Sequence, residues 1–76
     1  MTALHRLHTT IRKLSKEYEY IPLNLIVQKF GESYDFTVIH LELLVRLGLV
    51  NFENYEQDKI ILTENGKLWN VPSDGD

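Results

Sequence analysis

Residues 36–69, FTVIHLELLVRLGLVNFENYEQDKIILTENGKLW, constrain the fold more than any other part of the chain. An apolar-rich helical stretch runs into Gly48, a residue suited to the left-handed position that ends a helix. Two runs follow, residues 49–55 and 59–63, separated by the polar connection Glu56-Gln57-Asp58. In the first, Val50, Phe52 and Asn54 alternate with Asn51, Glu53 and Tyr55, the period of a strand. Thr63 then stands where its hydroxyl can cap a short closing helix over residues 64–70. Leu68 and Trp69 on that helix are expected to close the open end of the core. Gly66 within it costs about 1 kcal/mol of helix stability relative to alanine, so packing must hold the turn.

The first half supplies the helices that such a hairpin needs to pack on. Over residues 2–18, Leu4, Leu7, Ile11, Leu14 and Tyr18 recur at three- and four-residue spacings, which predicts an amphipathic helix with one narrow buried stripe. Residues 19–21 form a short extended link into Pro22, which suits a helix start. The second helix brings Leu23, Ile26, Val27 and Phe30 to one face and stops at Gly31. Residues 32–35 make the turn, with Ser33 or Asp35 able to cap a third helix over residues 36–47. The expected class is α+β, mainly α: three helices, a two-stranded hairpin and a short C-terminal helix. A chain of 76 residues holds one such domain, expected over 1–70, followed by a loose acidic tail over 71–76.

This order, with Leu44-Val45-Arg46-Leu47-Gly48-Leu49-Val50 at the helix exit and Ile61-Leu62-Thr63-Glu64-Asn65-Gly66-Lys67-Leu68-Trp69 after the turn, resembles the winged-helix (winged helix-turn-helix) superfamily. The resemblance implies that the third helix is the one that reads base edges in DNA-binding members, and that the hairpin is a wing. It also implies Leu41, Leu44 and Leu47 in the core. Val38, Ile39, Glu42 and Arg46 then face outward, with Leu43 at the margin.

That outward face lacks the amides, hydroxyls and clustered cations that read bases. Three aliphatics, one carboxylate and one arginine suit a protein contact better. The wing carries Glu53, Glu56 and Asp58 against Lys59. Within a Debye length of about 8 Å these carboxylates repel a phosphate backbone. Their simplest role is a soluble tip that discourages edge pairing; an acidic mimic of nucleic acid is a third, lower-ranked role.

Net charge is −3, but the cations concentrate early. Arg6, Arg12, Lys13 and Lys16 lie against Glu17 in the first seventeen residues, and Lys29 follows on the second helix. The ordinary reading of such a face is solvation; the alternative is contact with phosphate.

No catalytic residues are expected. The chain has no cysteine, no Gly-x-Ser-x-Gly and no glycine-rich loop opening a helix. His5 and His8 are spaced to share an ion, but a metal site needs three or four ligands and only His40 remains as a further imidazole. His40 is expected to turn partly inward as a core histidine. Neither a cofactor nor a small-molecule substrate is expected. No apolar run has the length of a signal peptide or of a membrane span, and the expected location is the cytoplasm.

Two functional expectations follow. The first is a non-enzymatic binding module, a homodimer or an adaptor in a gene-regulatory or nucleic-acid-processing assembly, with a protein interface at Val38, Ile39, Glu42, Leu43 and Arg46. The second is a transcription regulator that binds DNA as a homodimer through Arg6, Arg12, Lys13, Lys16 and Lys29, with Arg46 on the third helix.

Overall fold

The computed structural model of the chain describes residues 2–53, 56 and 58–69. The elements are α1 (Ala3–Leu14), β1 (Ile21–Pro22), α2 (Leu23–Phe30), α3 (Tyr34–Arg46), β2 (Val50–Phe52), β3 (Lys59–Leu62) and α4 (Glu64–Leu68). Four helices among the described residues, packed with a small antiparallel sheet, give a mainly helical α+β architecture. Asn54, Tyr55 and Gln57 of the expected hairpin, Asn70 of the closing helix and the expected tail 71–76 lie outside the described residues.

Helix ends follow from local chemistry. Thr2 Oγ1 accepts from the His5 N–H at 3.1 Å, and Ser33 Oγ accepts from the Phe36 N–H at 3.2 Å, so α1 and α3 each start at a side-chain cap. Ser33 therefore takes the capping role, and α3 begins at Tyr34, two residues before the expected start. Gly31 ends α2 with φ 80°. Gly48 has φ 77°, which a residue with a Cβ adopts only at a cost. It turns the chain out of α3 and directly into β2.

The core is one cluster that includes Leu7, Ile11, Leu14, Ile21, Leu23, Ile26, Phe30, Leu41, Leu44, Leu49, Val50, Ile60 and Leu62. Full burial of each such aliphatic is worth roughly 1.5–3 kcal/mol against leaving it in water. Three positions expected to be buried are exposed: Tyr18, Leu47 and Leu68. Helix α1 ends at Leu14, and Tyr18 beyond it is exposed. Leu47 is exposed as well. Steps of three residues turn a helix back by about 60°, so Leu47 stands about 120° from Leu41 and leaves the core side. Thr37 is fully buried instead, with its hydroxyl donating to the Ser33 carbonyl at 2.8 Å.

The sheet has three strands in the order β1-β3-β2, which corrects the expected two-stranded hairpin. The short link before α2 is itself a strand: Ile21 lies opposite Ile60 and Pro22 opposite Lys59. Across the hairpin, Val50 pairs with Leu62 and Phe52 with Ile60. The Leu23 N–H also donates to the Asp58 carbonyl at 2.9 Å, tying the start of α2 to the hairpin.

Helix α4 docks mainly through its backbone. Thr63 Oγ1 accepts from the Gly66 N–H at 3.0 Å and donates to the Gly48 carbonyl at 2.6 Å. A Cβ built on Gly66 would lie 1.9 Å from the Leu49 carbonyl oxygen. Glycine is thus what allows α4 to approach the start of β2 so closely.

Candidate interaction surface on α3 and α4

Helix α3 lays Thr37, Leu41 and Leu44 into the core, and that choice fixes what its other side presents. Ile39 is 58% exposed, Leu43 41%, Leu47 56% and, on α4, Leu68 73%. At about 100° per residue, Ile39, Leu43 and Leu47 stand within an arc of about 80°. At 1.5 Å per residue the row is about 12 Å long. A shallow groove lined by Leu47, Leu49, Asn65, Leu68 and Trp69 continues it onto α4. Leu68, expected in the core, belongs to this surface; Trp69 is half-buried against the core.

Of the five residues expected at the protein interface, Ile39, Glu42, Leu43 and Arg46 are exposed. Val38 is corrected: it is partly buried and packs against the core, because its position turns it toward the core side of α3. Leu47 and Leu68 are the residues that sequence reasoning missed. Four-residue spacing from Ile39 through Leu43 to Leu47 was the available signal, since it keeps a face nearly constant where three-residue spacing does not.

Phe36 borders the row. Its ring stacks on Phe30 at 6.1 Å between centroids and meets His40 at 4.3 Å. His40 Nδ1–H donates to the Phe36 carbonyl at 2.8 Å, within its own helix, and its ring remains part-exposed. The core histidine is His8. Its Nε2–H donates to the Gly66 carbonyl at 3.0 Å, and its ring meets Trp69 edge-on at 4.7 Å. Burial pushes the His8 pKa down, the bond to the Gly66 carbonyl opposes this, and the charge of Arg12 and then of His5 adds to the lowering. Among the described residues, no group of three or more His, Cys, Asp or Glu side chains is placed to hold a metal.

The expected phosphate-contacting residues divide. Arg6 is already engaged: its guanidinium donates to the Phe30 carbonyl at 3.2 Å, lies 3.5 Å from a Glu32 carboxylate oxygen and sits 5.0 Å over the Phe30 ring. Arg12, Lys13 and Lys16 gather with Thr9 around one depression along α1 and the turn that follows it. Lys13 also shares a groove with Lys29 of α2, where Glu17 interrupts the positive charge. On the hairpin, Glu53, Glu56 and Asp58 are exposed. Among the described residues no helix is long and apolar enough to cross a membrane.

In comparison with known proteins, no family model matches the chain, and neither the curated proteins nor the solved structures yield a match.

Proposed function

We propose that this chain is a non-enzymatic winged-helix module that works by protein contact through the exposed face of α3 and its continuation on α4. The observation that carries this reading is the apolar row Ile39, Leu43, Leu47 and Leu68, exposed on one side of the molecule. Such a row is stabilised when a partner covers it, and Glu42 and Arg46 at its border set orientation. The sequence of three helices, a hairpin and a closing helix supports the winged-helix resemblance. On that resemblance, the helix that would face DNA offers Arg46 as its one cation on the exposed side.

Replacing Ile39 and Leu43 together by Ser tests the reading. Both side chains are exposed, so the fold is expected to survive, as read by circular dichroism. Association, followed by sedimentation and partner capture, is expected to be lost. Association that persists unchanged in the folded double variant would exclude this face.

A second reading rests on a separate observation. Arg12, Lys13, Lys16 and Lys29 converge across α1 and α2, and such a patch suits phosphate. A DNA-binding regulator acting through it would show affinity for a mixed-sequence duplex that falls steeply with salt, because each neutralised phosphate releases counterion.

A further inference from the structure

We infer that the occupant of the α3 face is a second copy of this chain, docked with its α3 antiparallel to the first. This rests on the protein-contact reading above and names its partner.

Taking Leu43 as the centre of the row, Ile39 and Leu47 stand about 40° to either side at 100° per residue. Glu42 and Arg46 both fall on one flank of it, and His40 falls on the other. Two identical helices that pack face to face about a two-fold axis bring the same flank of each together when they run antiparallel, and opposite flanks together when they run parallel. If they run antiparallel, the order of charges along one flank opposes the order along the other. Arg46 of each copy then stands beside Glu42 of the second copy, and the contact is made twice. If they run parallel, the flank that carries Glu42 and Arg46 in each copy lies beside the His40 flank of the other, and neither charge gains a partner of opposite sign.

The apolar residues agree with the antiparallel register. With Leu43 packed on Leu43 at the two-fold axis, Ile39 of each copy meets Leu47 of the other. Phe36 of the second copy then arrives at the C-terminal end of α3, where the groove between Leu47, Leu49, Leu68 and Trp69 lies open. Its stacking on Phe30 and its tilted contact with His40 hold that ring in place. A surface made of one helix and the end of another is small, which suits a weak, reversible dimer.

The test is sedimentation equilibrium of the full chain from micromolar to millimolar concentration, with three charge variants. The wild type is expected to dimerise. Glu42→Arg puts arginine opposite Arg46, and Arg46→Glu puts glutamate opposite Glu42; each is expected to weaken the dimer about tenfold or more. Mixing the two variants restores association as a heterodimer, and the double reversal Glu42→Arg with Arg46→Glu restores the homodimer. A folded wild type that stays monomeric at millimolar concentration overturns the second copy as occupant and leaves the protein-contact reading to its own test. A dimer indifferent to either single reversal overturns the antiparallel register. A dimer also indifferent to Ile39→Ser with Leu43→Ser overturns both readings at once.

Discussion

His8 Nε2 lies 3.0 Å from the carbonyl oxygen of Gly66 and joins α1 to α4 across 58 residues of sequence. Burial is the first cause of its lowered pKa, and Arg12 and His5 add to it against the opposing bond to Gly66. Below the ordinary imidazole value of about 6.5 the unfolded chain therefore binds a proton more readily than the folded chain. In that window stability rises with pH. The His8 contribution is fully present above about 6.5 and is lost as pH falls from there through the lowered folded value. Urea unfolding at about pH 7.5 and about pH 5 should show wild type losing more stability than His8→Gln, which keeps a donor but does not titrate. Equal losses in the two proteins would remove His8 as the cause.

Gly66→Ala separates helix propensity from packing, because the two predict opposite signs. Propensity alone favours alanine by about 1 kcal/mol in a helix interior. The new Cβ, however, would meet the Leu49 carbonyl and lie 2.7 Å from Leu62 Cδ1. Overpacking of this kind costs about 1–3 kcal/mol, and backbone on one side leaves little to give. Net destabilisation of up to about 2 kcal/mol is expected, with reduced amide protection around Thr63 and Gly66. A stabilised variant would show that α4 docks less closely than described.

Leu47→Ser and Leu68→Ser should each change folding stability by only about 0.5 kcal/mol, whereas Leu44→Ala should cost about 2–5 kcal/mol. The first two should instead weaken association. Chemical unfolding and sedimentation on the same samples give both numbers, and a large stability loss from Leu47→Ser would return that side chain to the core.

Reversing Lys13 and Lys16 together to Glu is the direct test of the basic patch. If the chain binds duplex DNA there, the slope of log affinity against log salt should shrink by about 2, since each phosphate contact contributes about 0.9. Arg6→Ala should leave that slope unchanged and cost roughly 0.5–1 kcal/mol of stability, from its contacts with Glu32 and Phe30.

Much of this architecture was legible because local signals agreed with one another. Ser33 and Thr63 as caps, Gly31 and Gly48 as helix stops, and the periodicity of Leu7, Ile11 and Leu14 each have a local physical cause that a sequence displays. The strand at Ile21–Pro22 was not legible, because two residues carry no period and its partner lies far along the chain at Ile60 and Lys59. The core histidine expected from the sequence is His40 and His8 enters only as a neighbour of His5, although its position beside Leu7 and three residues before Ile11 places His8 on the buried side. The site was half legible. Ile39, Leu43, Glu42 and Arg46 lie on the outward face of α3 that the helical period displays, whereas the winged-helix resemblance implies Leu47 in the core and the short closing helix is expected to bury Leu68.

That two-residue strand also has a consequence for the order in which the chain folds. The ladder partner of Ile21 is Ile60, far along the chain on β3, so this pairing is expected to form after the local elements around it. Closing a long loop for so short a ladder yields little until both sides are in place. Ile21→Val should therefore leave the refolding rate nearly unchanged and raise the unfolding rate, which stopped-flow measurement separates. The strand then acts as a late clasp, governing how long the folded molecule lasts more than how fast it is made.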